Sequence, residues 1–393
     1  MKIVFLTTLS LEQSTVIGRV LPLAKEFKKM GHEVTILLHK ELSSRPPSRD
    51  PGASTIITGI NPFTRTKDGK KRLTGLRLLL RLKINALRAA WHLLRVHPDT
   101  IILVKPLPEN TLAACIAKLL LWKTKIILDV DDYELFANNL SSLLQRAVIH
   151  VSERIAASLS SHITVATPFL YYYMHQMVAG NKDVTLIPTG LSAIAPAEGG
   201  ATADLLSRDS NNNTILYIGS ISIVSGHRVD LLPEILLHAR KQIPDAHLMI
   251  AGTGDDEIEL KKQFQGLSLE HAVTYFGKFT GSDVPKLLAH CDVMIDPIDA
   301  SIVNRSKSSF RTTLALANGK PLVTSSIGIR TDMIPSILHE KFFAIPEDSA
   351  SYAEKIIALL KTPLSDTEKN MMHEQSEKYT WEQLAKKYNK IFV

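Results

Sequence analysis

Two basic residues and several hydroxyl residues come just before a helix-like segment in the second half of the chain. Lys307 and Arg311 are four residues apart, a spacing that places two side chains on one face of a helix. The hydroxyl residues around them are Ser308, Ser309, Thr312 and Thr313. Cations at a helix N-terminus oppose the helix macrodipole unless an anion binds there. The pattern therefore favours a bound diphosphate over a solvated helix face with surface ion pairs.

Glycines follow two apolar segments upstream of these cations. Gly219 is followed by Ser220, while Gly252 and Gly254 lie between an apolar strand and a helix. Glycine lets the backbone approach a phosphate closely, but it equally suits a tight strand-to-helix turn without a ligand. Arg228 follows the first glycine by a few residues and could add positive charge to the same site. Both interpretations stay open.

An acidic cluster follows a predicted strand in the first half, at Asp129, Asp131 and Asp132. Two carboxylates one residue apart can chelate Mg²⁺ or Mn²⁺. They can also act as a base or orient an acceptor hydroxyl, and either Asp131 or Asp132 can cap the following helix. We favour a catalytic role for Asp131 or Asp132 and expect no metal.

The positive charge of the chain is concentrated in one segment. Between Lys70 and Arg95 there are eight Lys or Arg residues and no Asp or Glu, in a chain of net charge +7. On a helix, six of the basic residues fall within roughly a 60° arc, and leucine, alanine and Trp91 cover most of the rest. These six are Lys70, Arg77, Arg81, Arg88, His92 and Arg95. Such a helix suits an anionic membrane surface or a lipid-linked acceptor; a domain helix with solvated charges is the alternative. The residues assigned to this surface are Arg77, Arg81, Arg88, Trp91 and Arg95.

The elements that must position these residues alternate between short apolar strands and helices. A length of 393 residues favours two domains, and 45% hydrophobic with 22% charged residues is typical of soluble globular proteins. A stretch rich in Gly, Ala, Ser and Asn separates two β/α series between Pro188 and Asn213. We predict two doubly wound α/β domains facing each other across a cleft, with ligands at the carboxyl ends of parallel strands.

The predicted strands of the first series are Lys2–Leu6, Glu33–Leu38, Ser54–Ile60, Thr100–Val104, Lys125–Asp129 and His162–Ala166. Those of the second series are Thr214–Ile218, Ala246–Ala251, Val273–Phe276, Val293–Asp296, Pro321–Ser325 and Phe342–Ile345. The predicted helices include Ile17–Met30, Arg72–Val96 and, at the end of the chain, Trp381–Phe392.

Several classes of protein are disfavoured. Cys115 and Cys291 are far apart in apolar patterns, so we expect buried thiols and no disulfide framework. The first ten residues lack the apolar core of a signal peptide, and no window approaches the roughly 18 apolar residues that span a bilayer. The basic segment lacks the aromatic pattern of a nucleic-acid module. We expect a cytoplasmic protein that can lie on the inner face of the plasma membrane.

Short motifs along the chain resemble one family. In the second series they are LYIGS (Leu216–Ser220), HLMIAGTGDD (His247–Asp256), VTYFGKF (Val273–Phe279), CDVMIDPI (Cys291–Ile298) and NGKPLVTSSIG (Asn318–Gly328). They are flanked by IPTG (Ile187–Gly190) and YTWEQLAKKY (Tyr379–Tyr388), and Arg19–Leu37 fits more loosely. With these motifs the chain resembles the GT4-type glycosyltransferases of the GT-B fold.

The resemblance implies a Rossmann-like acceptor domain over 1–190, a nucleotide-sugar domain over 191–375 and a C-terminal helix over 376–393 that returns to the first domain. It implies sugar transfer from a nucleoside-diphosphate sugar to an acceptor such as a lipid-linked or cell-envelope glycan, with retention and without a metal or other cofactor. The implied donor-binding residues are Gly219, Ser220, Arg228, Gly252, Gly254, Lys307, Ser308, Ser309, Arg311 and Thr312.

The chain departs from the family pattern at several positions. The paired glutamates of the family are replaced by Ser306 and Leu314, and the usual diphosphate arginine by Ser220. Asp131 stands where the family often has a histidine. Lys307 and Arg311 match two cations of a variant family motif. A catalytically degenerate GT-B protein, which binds nucleotide or glycan as a partner subunit, is therefore the alternative function.

Overall fold

The computed structural model describes residues 1–40, 53–60, 63–66, 69–137, 140, 142–191 and 213–392. The chain forms two compact units. The first contains Met1–Gly190, Ser306–Ser308 and Trp381–Val393, and the second contains Leu191–Arg305 and Ser309–Thr380. Each unit is built on its own parallel sheet, which confirms the prediction of two Rossmann-like α/β domains.

The first unit has a seven-stranded parallel sheet in the order β3-β2-β1-β6-β7-β8-β9. Its strands are β1 (Lys2–Leu6), β2 (Glu33–Lys40), β3 (Ser54–Ile60), β6 (Thr100–Val104), β7 (Lys125–Val130), β8 (His162–Val165) and β9 (Val184–Leu186). A separate antiparallel hairpin is formed by β4 (Phe63–Thr66) and β5 (Gly69–Arg72). The helices are α1 (Leu21–Lys29), which follows a π-helical turn at Val16–Val20, then α2 (Gly75–Val96), α3 (Pro108–Leu120), α4 (Glu134–Ala137), α5 (Leu143–Leu159) and α6 (Pro168–Met177).

Both faces of this sheet are buried because apolar side chains alternate along runs that are apolar throughout. On β1, Ile3 and Phe5 join one core cluster, whereas Val4 and Leu6 join the other. The parallel register places Val4 beside Ile101 of β6, so the carboxyl ends of neighbouring strands meet at one edge.

The second unit has a five-stranded parallel sheet in the order β12-β11-β10-β13-β14. Its strands are β10 (Thr214–Ile218), β11 (His247–Ala251), β12 (Val273–Gly277), β13 (Val293–Ile295) and β14 (Leu322–Val323). Its helices are α7 (Leu232–Arg240), α8 (Glu257–Gly266), α9 (Val284–Ala289), α10 (Ile302–Ser306), α11 (Phe310–Ala317), α12 (Arg330–Met333), α13 (His339–Phe342), α14 (Ser349–Lys361) and α15 (Asp366–Glu377).

The last helix, α16 (Trp381–Asn389), packs in the first unit. Trp381, Tyr388 and Phe392 are buried in the same core cluster as Phe5 and Phe27. The Phe27 ring centroid lies 5.5 Å from that of Tyr388 and 5.1 Å from that of Phe392. The end of the chain thus completes the core that its beginning starts.

Several sequence-based predictions are wrong in detail. The basic helix begins at Gly75, so Lys70 lies on β5 and does not belong to the helical arc. Phe342–Ile345 is no strand, because α13 ends at Phe342 and only a single bridge joins Thr324 to Phe343. Both cysteines are free, and Cys291 is buried, but Cys115 is only half-buried.

Candidate functional site

In the first unit, charged side chains gather where neighbouring strands β6 and β7 end. Lys105 follows β6 directly, and Asp131, Asp132 and Glu134 follow β7. Lys105 has a left-handed backbone (φ +63°), and its amide donates a 3.1 Å hydrogen bond to the carbonyl of Asp129. The two loops therefore leave the sheet side by side. We call these four residues the Lys105 cluster.

The ammonium of Lys105 lies within reach of all three carboxylates. Its Nζ is 2.7 Å from Oδ2 of Asp132, 2.9 Å from Oε1 of Glu134 and 3.2 Å from Oδ1 of Asp131. The three carboxylates are close enough to share a single cation. Lys105 supplies that cation from within the protein.

The third aspartate of the acidic cluster has a separate partner. Arg19 donates to both carboxylate oxygens of Asp129, at 2.6 and 2.8 Å, and to the carbonyl of Ile187 at 2.9 Å. Burial alone would lower the pKa of Arg19, but the charge of Asp129 raises it. The Arg19–Asp129 pair therefore links the π-helical turn before α1 to the end of β7. It fixes the start of the loop that carries Asp131.

The three carboxylates of the Lys105 cluster differ in exposure and acidity. The side chain of Asp132 is 22% exposed, against 9% for Asp131 and 2% for Glu134. Burial raises the pKa values of Asp131 and Glu134 above their usual range. Burial acts in the same direction on Asp132, but the Lys105 charge and hydrogen bond outweigh it and lower the pKa of Asp132. Asp132 is therefore the most exposed carboxylate and the one that ionises most readily.

In the second unit, the predicted glycines Gly219, Gly252 and Gly254 allow the loops after β10 and β11 to approach each other closely. A Cβ atom at Gly252 would overlap the carbonyl of Gly219, and one at Gly254 would overlap the carbonyl of Ile221. The amide of Gly219 donates 2.8 Å to Ala251 O. The loops after β10 and β11 therefore need glycine to pack against each other at the carboxyl edge, whatever binds there.

Arg311 lies in a buried network, which we call the Asp296 network. Its guanidinium pairs with Asp296 and donates to Ile218 O at 2.5 Å and to the Tyr217 hydroxyl at 2.8 Å. Arg330 also pairs with Asp296, at 2.8 Å. The charges of the two arginines keep the pKa of Asp296 well below its usual range despite burial, which acts in the opposite direction. Within the described residues, Nη1 of Arg330 is buried without a hydrogen-bond partner.

The other predicted donor residues are placed differently. Arg228 donates to Asp230 at 2.7 Å and pairs with Glu347. Helix α11 begins at Phe310, with Ser309 as its N-cap, so Lys307 precedes it while Arg311 lies in it. The predicted shared helix face of Lys307 and Arg311 is therefore wrong. Thr312 is buried, and its hydroxyl donates to Ser309 at 2.8 Å. Lys307 and Ser308 belong to the three-residue segment that groups with the first unit, and Ser220 is exposed at the end of β10.

The basic helix α2 turns an unusual face outwards. Its buried side carries small residues, including Ala86, Ala89 and Ala90. Its exposed side carries both cations and large apolar residues: Arg77, Arg88 and Arg95, with Leu76, Leu79, Leu80, Leu87 and Trp91. Arg81 is half-buried, and Arg95 stacks on Trp91 at 4.4 Å. Within the described part of the chain, no helix is long and apolar enough to cross a membrane.

The structure brings Asp131 and Asp132 together with Lys105 and Glu134, which the sequence analysis had not selected. The structure also brings Arg311 together with Asp296 and Arg330, and the sequence had indicated neither of these two partners. The sequence did contain one usable signal for these partners. Asp129 and Asp296 each end an apolar strand, and a charge buried there needs a partner of opposite charge.

Two family models match the chain, and together they span most of it. Residues 16–190 match the glycosyl transferase 4-like domain. Residues 212–362 match the glycosyl transferases group 1 family.

Individual relatives are more distant. An uncharacterized glycosyltransferase of Methanocaldococcus jannaschii is 27% identical over 188 residues, which span 45% of this chain and 44% of that protein, so less than half of its length is matched. Sucrose-phosphate synthase from Thermosynechococcus elongatus superposes with a TM-score of 0.75 and 16% identity, over 100% of this chain and 98% of that one. HepE of Anabaena, solved with UDP and glucose, gives a TM-score of 0.68 and 15% identity, over 100% and 99%. At these identities the structural likeness shows the fold.

Proposed function

Because the chain belongs to the GT4-type glycosyltransferases of the GT-B fold, we propose that it transfers a sugar from a nucleoside-diphosphate sugar to an acceptor, with retention of configuration and without a metal. The observation that carries the donor half of this proposal is the Asp296 network. Two arginines share one carboxylate there, which leaves a net positive charge buried at the carboxyl edge of the second sheet. Ligands of doubly wound sheets bind at that edge.

The donor would meet this positive charge through its diphosphate. The unpartnered Nη1 of Arg330 is a buried donor that an anionic oxygen would satisfy. Such a positive charge stabilises the negative charge that develops on the departing diphosphate. Because each guanidinium nitrogen of Arg311 already donates to a protein acceptor, we assign Arg311 to the support of the site, and the direct contacts to Arg330 and Lys307.

The first unit would bind the acceptor at the Lys105 cluster. Asp131 or Asp132 would accept a hydrogen bond from the acceptor hydroxyl and orient it for attack. The Lys105 ammonium stands where carboxylates of this spacing would otherwise hold a cation, which supports a reaction without a metal.

The exposed face of α2 favours an acceptor that is attached to an anionic membrane, such as a lipid-linked cell-envelope glycan. Half-exposed leucines and Trp91 alternate there with arginines, and the helix contains no acidic residue. Such a helix lies in the headgroup region with about 1 kcal/mol from each cation near the surface.

A thermal-shift panel of UDP, GDP, ADP, CDP, dTDP and their common sugars tests the donor site. A ligand at 100 times its dissociation constant stabilises the folded state by about 2.7 kcal/mol, which raises the melting temperature measurably. We expect one nucleotide family to stabilise the chain. If none does, the chain is a degenerate partner subunit and the proposal is wrong.

Vesicle co-sedimentation tests the acceptor surface. We expect binding to vesicles with phosphatidylglycerol and not to pure phosphatidylcholine, and we expect the R77Q/R88Q/R95Q variant to lose most of it. The matched control is K261Q/K262Q/K369Q, which removes three exposed cations from the second unit. Equal loss in both variants would contradict a role for α2.

A further inference from the structure

We propose that, of the two candidate aspartates, Asp132 is the one that touches the acceptor hydroxyl, whereas Lys105, Asp131 and Glu134 are positioning residues that keep Asp132 ionised and aimed. This inference rests on the proposed function and specifies the acceptor half of the same site. It divides roles between residues that the family resemblance leaves undivided.

The three carboxylates of the cluster differ in their access to an acceptor. Asp132 is the only member of the Lys105 cluster whose side chain exceeds one-tenth exposure, at 22%. Glu134 is 2% exposed and cannot meet an acceptor without a rearrangement of α4. Asp131 is 9% exposed, and its Oδ2 already accepts a 2.8 Å hydrogen bond from the hydroxyl of Thr15.

The cluster contains more acidic than basic groups. Lys105 brings one positive charge to three carboxylates, and the nearby Arg19 is matched by Asp129. Three ionised carboxylates would exceed the charge of Lys105 by two, and Lys307, whose charge acts on Asp132, offsets only one of these. The excess negative charge favours protonation, and it favours it most at the two more buried carboxyls, Asp131 and Glu134. Asp132 makes the shortest contact with Lys105, which favours its ionised form most.

The pKa shifts of the three carboxyl groups agree with an ionised Asp132 between two more weakly acidic neighbours. Burial raises the pKa values of Asp131 and Glu134, while Lys105 holds the pKa of Asp132 down. Pairs of carboxyl groups whose environments push their pKa values apart are typical of sites with separate proton-holding and ionised roles.

The charged groups that face the cluster come from several elements. Besides Lys105 they are Arg19 before α1, Asp129 at the end of β7, Lys307 in the segment grouped with the first unit, and Glu153 on α5. Arg19 and Lys307 are cations that lower the pKa of Asp132 further. The negative charge of Glu134 in turn raises the pKa of Glu153.

Lys105 is also held in an uncommon backbone conformation. A left-handed φ of +63° is unfavourable for a residue with a side chain, and it persists only where the surroundings impose it. Asn110 donates to both Val104 O, at 3.0 Å, and Lys105 O, at 3.3 Å, and so fixes the turn. A rigid loop therefore holds the Lys105 ammonium next to the carboxylates.

The ionisation states can be measured without a known acceptor. The full chain is labelled with ¹³C at the aspartate carboxyls, titrated by NMR, and assigned with the D131N and D132N variants. We expect Asp132 to titrate below its usual range and Asp131 above it. In K105M, the pKa of Asp132 rises, and in K105R it stays low. The reverse order of Asp131 and Asp132, or no response to K105M, would overturn the inference.

Turnover gives the second test, with UDP-glucose or whichever donor stabilises the chain, and a panel of methyl glycosides as acceptors. We expect D132N to lower turnover by about 100- to 10,000-fold with an unchanged nucleotide-induced melting shift, and D131N to lower it by less than tenfold. We expect K105M to shift the acidic limb of the pH–rate profile to higher pH, because the pKa of Asp132 rises when the Lys105 charge is lost.

A D131N loss equal to that of D132N would overturn the division of roles. A wild-type chain with neither a nucleotide shift nor turnover would instead overturn the proposed function, and the NMR result would still report the ionisation order separately.

Discussion

The hydroxyl of Tyr173 donates a 2.8 Å hydrogen bond to Oε2 of Glu153, a fully buried carboxyl on the inner side of α5. Burial raises the pKa of Glu153 to about 7, although the hydrogen bond from Tyr173 acts in the opposite direction. The second oxygen of Glu153 has no hydrogen-bond partner within the described residues. A carboxyl in these surroundings is stable when it is protonated.

The first prediction concerns this pKa. Between about pH 4.5 and 7 the folded state holds a proton on Glu153 that the unfolded state releases, so the free energy of unfolding falls as the pH rises through that window, by up to about 3 kcal/mol. We expect E153Q to abolish this part of the pH dependence. All three tryptophans, Trp91, Trp122 and Trp381, lie in the first unit, so urea unfolding followed by tryptophan fluorescence at pH 5 to 8 reports on it.

E259Q, at an exposed position of the second unit, is the matched control and should leave the slope unchanged. An E153Q profile parallel to the wild-type profile would show that Glu153 is ionised in the folded state.

The second prediction concerns Arg311. Replacement by Met leaves Arg330 as the only arginine on Asp296 and leaves Ile218 O and the Tyr217 hydroxyl without their donor. Loss of one partner from a buried ion network costs about 3–5 kcal/mol. We expect hydrogen exchange of β10 and β13 to accelerate in R311M even without nucleotide.

K307M is the comparison, because Lys307 is a half-buried cation of the same sequence motif. It should lower nucleotide binding with little change in hydrogen exchange of β10. If R311M leaves exchange unchanged and only weakens nucleotide binding, Arg311 contacts the donor directly.

The third prediction concerns Gly252, whose φ is +150°. Alanine there would force its Cβ against the carbonyl of Gly219 and impose a strained backbone, at a cost of about 1–3 kcal/mol for the backbone alone. We expect G252A to lower the melting temperature and to abolish the nucleotide-induced shift, because both loops at the carboxyl edge must move.

Gly266 offers the contrasting position, because no atom lies within 4 Å of a Cβ built there and it ends helix α8. G266A should be neutral or stabilising by up to about 1 kcal/mol. Equal damage from G252A and G266A would argue against close loop packing as the reason for glycine at position 252.

The fourth prediction concerns the last helix. Leu384 is buried in the core of the first unit, so L384A should destabilise that unit by about 2–5 kcal/mol in tryptophan-detected unfolding. E382A, two residues away on the exposed side of the same helix, should change stability by less than about 0.5 kcal/mol. A small effect of L384A would show that α16 detaches easily from the sheet.

Much of the architecture could be predicted because it depends on local patterns. The apolar runs of β1, β6 and β10 have the predicted bounds, since buried parallel strands are apolar throughout. The edge strand β3 also has the predicted bounds, although most of it is exposed. The hairpin β4–β5 was missed because FTRT and GKKR carry neither apolar alternation nor a typical turn pair. The three-residue strand β9 is too short for its pattern to stand out.

The sites could be predicted less well because their partners are distant in sequence. Arg19 and Asp129 are 110 residues apart, and Arg311 and Asp296 belong to different elements. Asp131, Asp132 and Arg311 were selected by their residue types, but the roles differ because burial and pairing decide which charge faces a ligand. Lys105 belongs to no motif, and only the strand order places it beside Asp132.

The path of the chain has a consequence for synthesis. The first unit lacks Trp381, Tyr388 and Phe392 until residues 381–392 have been made, although the seven strands of its sheet are complete by residue 186. During translation the first unit would therefore emerge from the ribosome with an uncovered apolar surface around Phe27. This surface is covered only after the second unit and α16 have been synthesised. A gene cut at residue 190 would encode a half with that surface permanently bare, so the two halves cannot be separated by a simple cut between them.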